Sequence, residues 1–138
     1  MSAAIAPADI ARGGYVLLDC AGVPELIVIA TGSEVALALE AVRAAQAQGR
    51  RVRLVSMPCT AVFDSQDAAW REAVLPAAVT RRLAIEAVAT GLWWRYVGTA
   101  GRVLGIDEFG ASGKASELFR KFGLDAGNVL KVVLESAS

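Results

Sequence analysis

One strand–turn–helix unit constrains the fold of this chain more than any other stretch. Residues 26–30 read Leu-Ile-Val-Ile-Ala, a continuous and mostly β-branched apolar run, which is typical of a strand buried on both faces of a sheet. Gly32 and Ser33 then provide a tight turn and a helix N-cap, and the apolar residues from Val35 onward recur at helical spacing. Because such a strand needs helices on both sides of its sheet, the unit predicts an α/β domain.

The rest of the chain repeats this alternation of strands and helices. Further strands are predicted at residues 15–18, 52–56, 82–86 and 102–106, and helices over 34–48, from Asp64 as N-cap through 72, over 91–97, from Ser112 or Ser116 to 122, and over 125–134. The connection between the first two strands is too short for a crossover, so the first strand should run antiparallel to residues 26–30. We expect residues 1–11 to be a mobile lead-in and residues 12–138 to form one domain.

The composition excludes several classes of function. The 138 residues contain no histidine, which rules out a Ser-His-Asp or Cys-His nucleophile, a histidine general base and a histidine-bearing zinc site. The 14 basic residues balance the 14 acidic ones, so nucleic acid is not an expected partner. The remaining candidates for catalysis would be carboxylates, lysine or tyrosine.

The cysteines and the hydrophobic pattern indicate the cellular setting. Cys20 and Cys59 form no Cys-x-x-Cys motif or zinc framework, and we interpret both as packing residues in a reducing compartment. The apolar runs are shorter than the roughly 20 residues of a spanning helix, and residues 1–9 do not resemble a signal peptide. The sequence therefore predicts a cytoplasmic protein without membrane contact.

The turn at residues 31–34 is the first candidate for ligand binding. Backbone amides at a helix start favour anions, and Thr31, Gly32 and Ser33 lie at that start. The alternative is an ordinary strand-to-helix turn, since one Gly-Ser corner is much less specific than a phosphate loop.

Three other motifs carry weaker functional hypotheses. Asp107 and Glu108 could act as an acid–base pair or bind a cation, but solvated loop charges explain them as well. The run Ser-Gly-Lys at 112–114 lacks the first glycine and the final hydroxyl of a P-loop, so it is not one. The aromatic residues Trp93, Trp94 and Tyr96 could stack on a base or pack a face that meets other domains.

Several segments of the chain agree, in the same order, with one known family. They include Ser-Met-Pro at 56–58, Ala-Thr-Gly-Ser-Glu at 30–34 and Gly-Ile-Asp-Glu-Phe-Gly-Ala-Ser-Gly-Lys at 105–114. Segments 11–17, 63–64, 66–72 and 74–76 also agree. On these residues the chain resembles the C-terminal domain of transketolase, from about residue 10 to the end.

The resemblance implies a three-layer α/β/α sandwich with a five-stranded mixed sheet in the order 1-3-2-4-5 and an antiparallel strand 1. It also implies a parent enzyme that moves a two-carbon ketol unit between sugar phosphates of the pentose phosphate pathway, with thiamine diphosphate and a divalent metal. The family's catalytic, cofactor and metal residues lie in upstream diphosphate- and pyrimidine-binding domains, so none transfers onto this chain. The implied partners are those domains and a second subunit of a homodimer.

The implied strand order adds one residue to the candidate ligand site. It places a switch point above residues 31–33, facing Glu86 at the end of the fourth strand, and open α/β sheets bind ligands at such points. Glu86 could accept a hydrogen bond from a ribose hydroxyl, or it could simply bond to nearby loop amides.

Two function hypotheses result from this reading. The chain is interpreted as a non-catalytic transketolase domain that serves packing and dimer integrity and holds a possible regulatory site, with exposed apolar surface expected around Trp70, Trp93 and Trp94. The alternative is a free-standing flavodoxin-like module that binds an anion or nucleotide at 31–34. A small hydrolase is excluded because the chain lacks a suitable base.

Overall fold

A computed structural model describes residues 7–32, 34–86, 94–98, 102–105 and 126–137. Its elements in chain order are α1 (Pro7–Ile10), β1 (Tyr15–Leu18), β2 (Leu26–Ala30), α2 (Glu34–Ala47), β3 (Val52–Ser56), α3 (Thr60–Asp64), α4 (Ala68–Val74), β4 (Arg82–Glu86), α5 (Trp94–Val97), β5 (Arg102–Gly105) and α6 (Ala126–Ala137). The five predicted strands are all present.

The strands form one sheet in the order β1-β3-β2-β4-β5. Strand β2 pairs in parallel with β3 on one side and β4 on the other, and β5 is parallel to β4. Strand β1 pairs antiparallel with β3, so it also runs opposite to β2. The predicted order and the antiparallel first strand are confirmed.

Both faces of the sheet are covered, because alternate residues of a strand point to opposite sides. Leu26, Val28 and Ala30 of β2 belong to a core shared with α2 and α6, which also pack against each other. Ile27 and Ile29 belong to a second core with residues of α3, α4 and α5. All five β2 residues are buried, and the three-layer α/β/α sandwich is confirmed.

The predicted end of the first long helix is also confirmed. Gly49 follows α2 with φ +85°, a conformation that glycine adopts without a steric penalty. The amide of Gly49 donates to the backbone carbonyl of Gln46 at 2.9 Å, and the amide of Arg50 donates to the backbone carbonyl of Ala45 at 3.1 Å. These two bonds form a Schellman motif, which satisfies carbonyls at the helix end.

The prediction that Asp64 caps the next helix is wrong. Asp64 is the last residue of α3, a one-turn helix that the sequence pattern did not indicate. The N-cap of α4 is Asp67, whose carboxylate accepts the amide of Trp70 at 2.8 Å. Both aspartates are suitable caps by type, and the folding of residues 60–64 into α3 removes Asp64 from that position.

Replacing Asp67 with alanine is expected to lower the free energy of unfolding by about 1 kcal/mol, since the Trp70 amide loses its acceptor. The measurement is equilibrium urea unfolding. Asp67→Ser serves as the control, because serine is also a good cap and should retain most of the stability. Equal destabilisation by the two variants would contradict a capping role.

Several other predictions concern the helices. The last helix reaches Ala137, three residues beyond its predicted end, since its stripe of Val129, Val132 and Val133 continues to pack on the core. Helix α5 confirms the second half of the predicted 91–97 helix, and α1 occupies part of the predicted lead-in. Residues 91–93, Ile106 and the helix predicted up to 122 lie outside the described residues, as do Asp107, Glu108 and the 112–114 run.

Candidate functional site

The carboxyl end of β2 lies at the predicted switch point of the sheet. Ala30 is paired with Ser56 of β3 and with Ile85 of β4. The chain returns from β2 to β3 through α2 on one face, and from β3 to β4 through α3 and α4 on the other. Connections that leave on opposite faces create a crevice between the two strand ends.

Two backbone amides at the turn after β2 already donate hydrogen bonds to carbonyls of the same turn. The amide of Glu34 donates to Thr31 at 3.3 Å, and the amide of Val35 donates to Gly32 at 3.3 Å. Gly32 is exposed with φ +61°, and the side chain of Glu34 is buried at the helix start. A buried acidic side chain there disfavours a bound anion.

The ligand site of Thr31, Gly32, Ser33 and Glu86 therefore stays a prediction. The described backbone brings Thr31, Gly32 and the end of β4 to the same edge of the sheet. Ser33 and the side chain of Glu86 lie outside the described part of the chain.

A pair of glycines before β1 passes through a narrow space beside α3. A Cβ atom on Gly13 would lie 2.4 Å from the carbonyl oxygen of Cys59 and 2.5 Å from the amide nitrogen of Phe63. A Cβ atom on Gly14 would lie 2.5 Å from the sulfur of Met57. The amide of Cys59 donates to the Gly13 carbonyl at 3.0 Å, so the backbone of residues 13–14 is held tightly against α3.

Trp70, a residue of α4, contacts the same segment at Gly14 and Arg12. Its indole N–H donates to the Gly14 carbonyl at 3.0 Å, and the guanidinium of Arg12 lies 4.4 Å from the centre of its ring, within the range of a cation–π interaction. Trp70 is half-buried against the second core. The expectation that Trp70 is a centre of exposed apolar surface is wrong, because its ring packs within the chain. Trp93 and the side chain of Trp94 lie outside the described residues.

The exposed apolar side chains lie elsewhere. Among the described residues, the large apolar side chains with the most exposed surface are Ile10 at 47%, Val62 at 37% and Val23 at 71%. Ile10 and Val62 both lie close to Gly13, since the amide of Gly13 donates to the carbonyl of Ile10 and a Cβ on Gly13 would lie 2.9 Å from the Cβ of Val62. We refer to Ile10 and Val62 as the α1–α3 surface.

Arg82, at the start of β4, connects three segments on the same side of the sheet. Its guanidinium donates to the carbonyls of Val79, Tyr96, Pro76 and Leu75 at 3.0, 2.7, 2.8 and 3.3 Å. Burial lowers the pKa of this guanidinium, and the charge of Glu72 opposes that shift. Arg82 thus holds the end of α4, the loop before β4 and α5 together.

An open cleft of about 460 Å³ lies between α3, α4 and α5. Its lining comprises Phe63, Asp64, Ala68, Arg71, Glu72, Leu75 and Tyr96. The hydroxyl of Tyr96 lies 2.9 Å from each carboxylate oxygen of Asp64 and donates to that group. No motif in the sequence indicated this cleft, because Asp64 and Tyr96, on opposite sides of it, are 32 residues apart in the chain.

The cysteines do not form a reactive site in the described structure. Both are free. Cys20 is half-buried, and burial, with the charge of Asp19, raises the pKa of its thiol, which lowers its reactivity. Cys59 is exposed, so the prediction that it is a packing residue is wrong; its backbone, rather than its side chain, contacts the glycine pair.

The part of the chain that the structure describes contains no group of three or more His, Cys, Asp or Glu side chains that could hold a metal ion. Within the same ranges, none of the helices has the length and apolar character needed to cross a bilayer.

The sheet order and the two helical layers define the chain as a three-layer α/β domain with a switch point at β2. A family model described as the transketolase-like TK C-terminal domain matches residues 13–125. The chain therefore belongs to the family of transketolase C-terminal domains, as its resemblance predicted.

Named relatives and solved structures agree with this family. The chain is 59% identical to Transketolase 1 of Vibrio cholerae over 128 residues, which cover 93% of this chain and 19% of the relative. It is 56% identical to Transketolase 2 of Aliivibrio fischeri, with the same coverage. Transketolase from Leishmania mexicana superposes with a TM-score of 0.75 at 37% identity, covering 94% of this chain and 18% of that one. The chain spans about a fifth of the length of these relatives.

Proposed function

We propose that this chain is the non-catalytic C-terminal domain of a cytoplasmic, thiamine-diphosphate-dependent transketolase. The parent enzyme transfers a two-carbon ketol unit between sugar phosphates of the pentose phosphate pathway, with cofactor and metal held by its diphosphate- and pyrimidine-binding domains. This chain contributes domain packing and the integrity of a homodimer. The proposal is supported by relatives named transketolases of which the chain covers about a fifth, and by the absence of histidine from the sequence.

The exposure of the α1–α3 surface is the observation that supports a docking role most directly. In a C-terminal domain the preceding domains join the chain ahead of α1, the helix that ends at Ile10. The side chains of Ile10 and Val62 are both substantially exposed, and apolar surface next to a domain junction is typical of an interface. The hydrogen bonds to Gly13 and Gly14 fix the direction in which the chain reaches this surface.

The alternative function, an anion- or nucleotide-binding module at 31–34, has less support. Two amides at the start of α2 already donate to Thr31 and Gly32, and the side chain of Glu34 is buried beside them. A regulatory site at this corner stays a secondary hypothesis, tested by an NMR titration of the chain with AMP or phosphate.

A chimeric enzyme tests the docking role. The C-terminal domain of the Vibrio cholerae Transketolase 1 is replaced by this chain, and the chimera is expected to be a dimer that transfers a ketol unit from xylulose 5-phosphate to ribose 5-phosphate. This chain alone is expected to show neither activity nor thiamine diphosphate binding.

The double variant Ile10→Asp, Val62→Asp should lower the melting temperature of the chimera and weaken its dimer about tenfold or more, since each charge would be buried in the domain contact. Calorimetry and sedimentation measure the two effects.

Val23→Asp is the matched control. Val23 is more exposed than either surface residue, and it lies in the loop between β1 and β2, away from the glycine pair. This variant should leave both the melting temperature and the dimer unchanged. A chimera that tolerates the double variant as well as it tolerates Val23→Asp would contradict docking at the α1–α3 surface, and ketol transfer by the chain alone would contradict the non-catalytic role.

A further inference from the structure

Residues 9–14 lead from the end of α1 to the start of β1, and we call this segment the strap. The amide of Arg12 donates to the carbonyl of Asp9 at 3.1 Å, and the amide of Gly13 donates to the carbonyl of Ile10 at 3.3 Å. These two bonds fold the first part of the strap into a compact turn. Its second part contacts α3 through Gly13 and α4 through Gly14.

The strap covers one edge of the second core. A Cβ atom on Gly14 would lie 2.5 Å from the sulfur of Met57 and 2.7 Å from a ring carbon of Phe63, so the backbone of Gly14 touches both side chains. Met57 and Phe63 are only 1% and 2% exposed. Because the strap contributes to this burial, its removal would return apolar surface to water, and the hydrophobic effect favours the closed position.

Few contacts attach the strap to the rest of the domain. Among the described residues, two hydrogen bonds join it to other elements, from the amide of Cys59 to Gly13 and from the indole of Trp70 to Gly14, both at 3.0 Å. The guanidinium of Arg12 adds the cation–π contact with Trp70. All three contacts lie outside the sheet, so the strap can detach in a local opening while the sheet stays folded.

The α1–α3 surface is shared between the strap and α3. Ile10 belongs to the strap, whereas Val62 belongs to α3. A partner that contacts both side chains can therefore bind only when the strap lies against α3. Binding to one of two conformations shifts the equilibrium toward it, so such a partner keeps the strap closed.

We propose that the strap opens and closes as a unit, and that docking of the preceding domain at the α1–α3 surface holds it closed. Arg12 and Trp70 form the latch of the closed state. The docking part rests on the proposed function, whereas the opening of the strap in the chain alone does not. Because such coupling is reciprocal, a domain contact that stabilises the closed strap is itself weakened when the strap is open.

Hydrogen exchange of the full chain, followed by NMR, tests the opening. The amide of Cys59 and the indole N–H of Trp70 both lose their acceptors when the strap opens, so they should report the same opening free energy. The amide of Val28, in the middle of the sheet, reports global unfolding. After correction for intrinsic rates, the two strap reporters should be protected about tenfold less than Val28, or less still.

Two variants loosen the latch. Trp70→Phe removes the indole N–H and should lower the protection of the Cys59 amide about five- to tenfold. Arg12→Gln removes only the cation–π contact and should lower it about two- to fivefold. Spectra with native dispersion confirm that each variant is folded, and the milder Arg12→Gln decides the test if Trp70→Phe does not fold.

Gln46→Met is the matched control for local opening. Gln46 is a half-buried residue of α2 whose side chain donates two hydrogen bonds away from the strap. These bonds persist while the strap is open and break only on global unfolding. The control should therefore lower the protection of Val28 and leave that of Cys59 unchanged. Equal protection of Cys59 and Val28, or an equal effect of Gln46→Met on both, would overturn the opening.

Hydrogen exchange of the chimera, followed by mass spectrometry, tests the docking part. A peptide that contains Cys59 should exchange about tenfold more slowly in the chimera than in the chain alone, a coupling of ordinary size. The double variant Ile10→Asp, Val62→Asp should restore the faster exchange, and Val23→Asp should not.

The outcomes separate the strap from the proposed function. An active, dimeric chimera whose Cys59 peptide exchanges as fast as in the chain alone would overturn the docking part and leave the proposed function intact. A chimera that is neither dimeric nor active would contradict the proposed function and the docking part with it. The exchange of the chain alone decides the opening in either case.

Discussion

Gly13→Ala is expected to lower the free energy of unfolding by about 2–5 kcal/mol. Part of the loss, about 1–2 kcal/mol, comes from placing a side chain at φ +83°. The rest comes from overpacking, at about 1–3 kcal/mol, because the new Cβ would lie 2.4 Å from the Cys59 carbonyl oxygen and 2.5 Å from the Phe63 amide nitrogen. Those neighbours are backbone atoms, so α3 itself would have to move. Equilibrium urea unfolding measures the effect.

Gly22→Ala separates the two contributions. Gly22 has a similar φ of +74°, but a Cβ there would meet no other atom within 4 Å. This control should lose only the conformational part, about 1–2 kcal/mol. Equal losses at Gly13 and Gly22 would show that residues 13–14 are not packed tightly against α3, and would remove the fixed chain direction that the docking role uses.

Arg82→Met is expected to destabilise the chain by about 2–3 kcal/mol. Four carbonyls lose their donor, and a buried acceptor left without a partner costs about 1 kcal/mol or more. Arg82 is only half-buried, so water replaces part of what is lost. Urea unfolding gives the stability, and the Asp64 and Tyr96 amides report whether the cleft keeps its shape.

Two further variants test whether the loss of stability comes from the carbonyl contacts of Arg82. Arg82→Lys keeps the charge, but its ammonium cannot reach four carbonyls around a planar group, so it should recover only a minority of the loss. Arg81→Met, the neighbouring control, removes a single bond from an exposed side chain to Ala137 and should cost less than about 1 kcal/mol. Similar stabilities for Arg82→Met and Arg81→Met would mean that the carbonyl contacts of Arg82 contribute little.

The strands and the fold class were predictable from the sequence because a strand buried on both faces is recognisable from its own run of apolar residues. Residues 26–30 are apolar without interruption since both of their faces are covered, and a strand in the middle of a parallel sheet has no other composition available. Gly49 marked the end of α2 for an equally local reason, since the residue after a helix often needs a positive φ. The order of the strands came from the resemblance to transketolase and is confirmed by the pairing.

The sites were predictable only in part. The strand–turn–helix pattern places residues 31–33 at the carboxyl edge of the sheet, and the strand order implied by the resemblance to transketolase placed them at a switch point. The structure adds that two amides of that turn already have partners, which depends on the torsion angles of the turn and not on its residue types.

The cap, the exposed surface and the cleft were decided by tertiary structure. Asp64 and Asp67 are equivalent by residue type, and the folding of α3 assigns the cap to Asp67. Trp70 is half-buried because Gly14, 56 residues away, accepts its N–H, and the cleft exists because Tyr96 reaches Asp64 across 32 residues of chain. Local periodicity indicates which residues of a helix or strand are buried. It gives no information on contacts between side chains that are distant in sequence, because these contacts form only when the helices pack on the sheet.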